Sequence, residues 1–77
     1  MSVKTKERKE VIRETLAELD PVAKDILESR YLKPQKMNLK YMGKKYGISG
    51  ERVRQIEVQA LQSFKKKLKR KSFFLDY

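Results

Sequence analysis

The sequence predicts an all-α domain of four helices, the last two joined as a helix-turn-helix, and three observations predict it. Apolar residues recur at three- and four-residue spacings in separate stretches, which is the helical period. Residues that start or stop helices stand between those stretches: Asp20-Pro21, Pro34, Asn38, Gly47 and Ser49. Residues 39–58, LKYMGKKYGISGERVRQIEV, read as two short helices around a tight glycine-containing turn.

Each element has its own local reason. Val11, Ile12, Leu16 and Leu19 give an amphipathic helix from about Lys6 to Glu18. Asp20 is a favoured N-cap and Pro21 a favoured first helical residue, so a second helix starts there, with Val22, Ala23, Ile26, Leu27 and Tyr31 on its apolar face. Lys33-Pro34-Gln35-Lys36 ends it, because proline disfavours α geometry in the residue before it. Asn38 caps a third helix that runs to about Tyr46, Gly47 suits a left-handed terminal position, and Ser49 caps the fourth. The apolar stripe of that last helix, Val53, Ile56, Ala60, Leu61, Phe64 and Leu68, continues for about five turns. Residues 1–5 and 70–77 are the candidates for disorder.

Seventy-seven residues make one domain, 1–77, and a chain this short buries only ~60% of its unfolded surface. Hydrophobic and charged residues each make up 39%, which favours a small helical fold over a disordered chain. Twenty Lys and Arg against ten Asp and Glu leave a net charge of +10, a field that draws in polyanions. With no cysteine there is no disulfide framework or thiolate metal site, and no apolar run approaches the ~20 residues of a membrane span. The expectation is a cytoplasmic monomer without cofactor, metal or membrane contact.

On a helical wheel, Val53, Ile56, Ala60, Leu61, Phe64 and Leu68 define the buried side of the last helix. Glu51, Gln55, Val58 and Gln62 point away from it, with Arg54 at the edge. Those are residue types that read DNA: Arg54 can pair with guanine O6 and N7, Gln55 with adenine N6 and N7, Glu51 can accept from cytosine N4, and Val58 can touch a thymine methyl. Any one of them on a generic helix is more often a solvated side chain; the turn and the glycine spacing in front of them favour DNA. Arg52 reaches a phosphate or pairs locally with an acid. Asn38, Lys40, Lys44 and Lys45 are natural phosphate contacts from the third helix, Gln59 completes the candidate set, and the acid-free run Lys65–Lys71 is either a phosphate-binding or a solvated basic face.

The run Gly47-Ile48-Ser49-Gly50-Glu51-Arg52-Val53-Arg54-Gln55-Ile56-Glu57, with Ala60-Leu61 beyond it, resembles the C-terminal promoter-reading domain (region 4) of bacterial primary-type sigma factors. Upstream, Leu19-Asp20 and Asp25-Ile26-Leu27-Glu28-Ser29-Arg30-Tyr31-Leu32 look like the first helix pair of that domain, nearest the heat-shock branch. The resemblance covers about residues 16–68. It implies a transcription initiation module whose last helix reads the −35 promoter element while the domain packs on the flap of the RNA polymerase β subunit. It makes Glu51, Arg52, Arg54 and Gln55 the readers and Leu39–Val58 the helix-turn-helix. The sequence departs from the family pattern at Gly50, where many members carry arginine, and at Lys40-Tyr41-Met42, where an acid is usual.

A chain this short is expected to be an excised domain or a small free-standing homologue. The principal rival reading is a protein-interaction module that binds polymerase, an anti-sigma protein or an activator without reading bases. A basic amphipathic membrane binder is a third. Catalysis is not expected: there is no His or Cys, no phosphate-cradling glycine loop and no evident carboxylate pair.

Overall fold

The computed structural model describes residues 8–75, and the side chains of 9–71. The chain forms α1 (Arg8–Ala17), α2 (Pro21–Leu27), one π-helical turn (Glu28–Leu32), α3 (Leu39–Tyr46) and α4 (Gly50–Leu75). No strand occurs among the described residues. The expected four-helix architecture is therefore present, with α3 and α4 as the helix-turn-helix. No helix among the described residues is long and apolar enough to cross a membrane.

The capping residues act as their chemistry predicts. Asp20 Oδ2 accepts from the backbone N–H of Val22 and Ala23 at 3.1 and 3.4 Å, and Pro21 occupies the first turn of α2. Asn38 Oδ1 accepts from Tyr41 N at 2.8 Å, and Ser49 Oγ from Arg52 N at 3.0 Å. Gly47 ends α3 at φ 69°, a left-handed conformation that glycine adopts without a Cβ penalty. A second glycine sets how closely α3 meets the turn. A Cβ on Gly43 would lie 2.5 Å from the Ile48 carbonyl oxygen and 3.2 Å from Gly50 N, so only glycine permits this approach.

The long stripe of α4 serves two cores. Val53, with Ile56 beside it, packs on Ile26 and Met42 under the helix-turn-helix. Further along, Ala60, with Leu61 and Phe64 beside it, packs on Leu16, Ala23 and Leu27 against α1 and α2. Ile26, Met42 and Val53 are fully buried, each worth ~1.5–3 kcal/mol.

Three boundaries differ from the sequence expectation. α1 ends at Ala17, and its start before Arg8 lies outside the described residues. α4 is helical through Leu75, so it covers positions from Arg70 onward that the sequence offered for disorder; residues 1–5, 76 and 77 lie outside the described residues. The second helix widens into the π turn after Leu27, and Tyr31 is 47% exposed instead of lying on an apolar face. In that turn Lys33 N bonds back to Glu28 O, and Met37 N to Ser29 O, which closes the loop into α3.

Asp25 ties α2 to α3. It accepts from Lys45 Nζ at 2.8 Å, from the Tyr46 hydroxyl and from Ser29 Oγ at 3.2 Å. Burial pushes its pKa up, but those hydrogen bonds outweigh burial and hold the carboxyl below the ordinary value of 3.8. Folding thus favours the ionised form, a contribution complete above the unfolded pKa and lost as pH falls through the folded one. We expect stability to fall as pH drops below ~4 and Asp25→Asn to flatten that fall. The slope persists in part, because the Lys71 hydrogen bond to Glu18 and the Arg54 hydrogen bond to Glu51 lower those two carboxyls as well. Urea midpoints of the two proteins across the acid range measure it; parallel acid profiles would sink the assignment.

Candidate nucleic-acid interface

The first three turns of α4 carry the predicted readers. Glu51, Arg52, Arg54, Gln55, Val58 and Gln59 are all exposed, while Val53, Glu57 and Ala60 between them are buried. The wheel placed this face correctly. Val58 is 41% exposed, an apolar side chain amid polar ones, as a methyl contact would need.

The predicted readers are held by one another. Arg54 Nε and Nη2 donate to the two Glu51 oxygens at 3.0 and 2.6 Å, a bidentate pair one turn apart. Arg52 Nη1 donates to Gln55 Oε1 at 3.3 Å, so Arg52 pairs with an amide and not with an acid. Arg54 keeps Nη1 free of Glu51. Beside the Arg54 hydrogen bonds, the Gln55 amide also donates to the Glu51 carboxylate, which helps hold that carboxyl below its ordinary pKa. Both halves of the salt bridge are more than half exposed, so solvent screens the pair, it adds little to stability and it opens readily toward a ligand.

The basic residues separate by role. Asn38 and Lys44 are exposed at opposite ends of α3, with the Asn38 carbonyl spent on its cap and its amide still a donor. Lys40 is exposed as well. Lys45 is not a simple phosphate contact: it is engaged with Asp25 and lies 5.5 Å from the Tyr46 ring centre. On α4, Lys67 and Lys71 reach Glu18 at 3.8 and 2.5 Å, joining the far end of the helix to the end of α1. The Lys65–Lys71 run is therefore part clamp and part open face.

Sequence reasoning missed the group that orients α4. The Glu57 side chain is 8% exposed; it accepts from Arg30 Nε at 2.9 Å and from the Tyr31 hydroxyl. Arg30 also donates to Met37 O at 3.2 Å. The hydrogen bond to Glu57, with burial, raises the Tyr31 phenol above its ordinary pKa. The wider π turn lets two consecutive side chains, Arg30 and Tyr31, converge on one carboxylate. A signal existed: Glu57 falls four residues after Val53 and three before Ala60, on the apolar side, where a carboxylate needs partners.

Beside the π turn runs a surface groove lined by Ile12, Leu16, Leu32 and Pro34 together with three basic side chains, Lys9, Arg13 and Lys33, and one acid, Glu28. Leu32 is 55% exposed there.

Comparison with known proteins agrees with this geometry. A family model described as Sigma-70, region 4 matches residues 15–66. The RNA polymerase sigma-B factor of Myxococcus xanthus is 39% identical over 57 residues, 74% of this chain and 23% of that protein. The RNA polymerase sigma factor RpoH of Caulobacter vibrioides is 37% identical over 62 residues, 80% of this chain and 21% of that protein. The RNA polymerase sigma-C factor of M. xanthus is 35% identical over 57 residues, 74% of this chain and 19% of that protein. The chain spans about a fifth of the length of these relatives.

Proposed function

The chain belongs to the sigma-70 region 4 family, and from that premise we propose that it reads the −35 element of promoter DNA through the exposed face of α4 while docked on the β flap of RNA polymerase. The observation that carries the first half is the reading face itself. Glu51, Arg52, Arg54 and Gln55 stand exposed on the opening turns of the second helix of a helix-turn-helix, the part that meets base edges in the major groove. Nothing else on that face needs them for the fold, since they bond only to one another.

The second half rests on the α1–π-turn groove. Its apolar lining, exposed Leu32 and three basic side chains against the single acid Glu28 suit an apolar helix or loop with acidic flanks. Gly50 supplies no arginine to the DNA, although a Cβ there would sit 3.6 Å from Leu39, an ordinary contact, so close packing is not what requires glycine at this position. A single module of this size buries ~600–1,000 Å² on DNA. Free in solution it should bind weakly, and tethering to polymerase raises its effective concentration.

Selection of duplexes from a random library by the chain tethered to the flap tests the reading. A −35-like consensus is the expected outcome. Capture by the flap with no consensus among the bound duplexes favours the interaction module instead.

A further inference from the structure

We propose that the outer face of the C-terminal half of α4, centred on Lys65 and Lys66, is a second DNA contact that grips the sugar–phosphate backbone beside the bases read by its first turns. This rests on the DNA-reading role and extends the footprint beyond the helix-turn-helix. The observations concern how this helix sorts its charges. At ~100° per residue, Gln62, Lys65 and Lys69 fall within about 40° of Val58, on the line that Glu51 begins. Lys67 and Lys71 lie on the opposite side and are taken up by Glu18. The lysines are thus divided between an internal clamp and a face continuous with the readers.

That outer face is built of donors. Gln59, Gln62, Ser63, Lys65, Lys66 and Lys69 line a shallow surface groove, and α4 has no acid after Glu57. Amides, a hydroxyl and ammonium groups without a carboxylate suit anionic oxygens, as phosphodiesters present. The spacing fits the same ligand. Lys65 and Lys66 lie ~10–12 Å along the axis from Val58, comparable with the ≈ 12 Å width of the major groove. A helix whose opening turns touch base edges has reached the bordering phosphates at that point. An acidic protein surface could meet the same lysines, but only DNA is already placed by the neighbouring readers.

The test compares Lys65→Gln/Lys66→Gln with Lys67→Gln/Lys71→Gln in the full chain, measuring binding to a selected duplex and to a random-sequence duplex across salt concentrations. Both pairs remove the same charge. We expect the Lys65/Lys66 variant to reduce the slope of log K against log salt by ~0.9 for each phosphate no longer neutralised, on both duplexes, with the preference between them unchanged. The Lys67/Lys71 variant should keep the wild-type slope. Equal slopes in the two variants would overturn the proposal and leave the face to a protein partner. Loss of preference with an unchanged slope would place these lysines at bases and would also overturn it. Wild-type chain that binds both duplexes equally, yet shows the slope difference, would refute base reading and leave the backbone contact standing. Absence of binding to either duplex removes both.

Discussion

Glu57→Ala is expected to cost about 3 kcal/mol of folding stability, more than half of the ~5 kcal/mol available to a domain at the small end of the range. The carboxylate is buried, and its removal strands two donors at once: the Arg30 guanidinium and the Tyr31 hydroxyl. Breaking a buried pair by deleting one partner costs ~3–5 kcal/mol; Arg30 is 25% exposed and recovers some hydration, which argues for the lower figure. Glu57→Gln keeps a carbonyl oxygen for Arg30 and sets an amide N–H against the Tyr31 oxygen, which can turn its hydroxyl and accept, so it should lose about half as much, the charge assistance being gone. Urea unfolding followed by helical circular dichroism measures both. An alanine variant with a midpoint close to wild type would show that the network is not what holds α4 to the π turn.

Arg54→Ala combined with Gln55→Ala should do the opposite: leave the fold alone and erase base preference. Both side chains are exposed and paired only within α4, so stability should move by ~0.5 kcal/mol or less. Each bidentate base contact discriminates by ~1–3 kcal/mol, which is about five- to more than a hundredfold, so removing both collapses the ratio between a selected and a scrambled duplex. Flap binding should survive, because the groove beside Leu32 lies on other elements. Competition between the two duplexes at one fixed salt concentration gives the ratio. A ratio equal to that of wild type would move base reading away from these residues.

The two variants also show which parts of the molecule could be read from sequence. Caps and breakers are local chemistry, so Asp20, Asn38, Gly47 and Ser49 declared the helix ends correctly. The exposed face of α4 followed from periodicity, because one helix decides which of its own sides is buried. What periodicity does not carry is a contact between elements distant in sequence. Asp25 with Lys45 and Tyr46, Glu57 with Arg30 and Tyr31, and Glu18 with Lys71 span 20 to 53 residues. Tyr31 was misplaced for the same reason: the π turn exists to serve Glu57 on another helix, and nothing within ESRYL announces it. The two-core arrangement was likewise invisible in a stripe that looks uniform along α4.

The self-contained pairing of Glu51 with Arg54 and Arg52 with Gln55 bears on how such a domain changes over time. None of the four is engaged with the core, so substitutions there come at almost no cost in folding, and under the proposed reading role they would alter which promoters are chosen. A lineage can drift through many target sequences on one unchanged scaffold, and a designer can search all combinations at these four positions without compensating mutations elsewhere. Glu57, in the next turn of the same helix, has no such freedom.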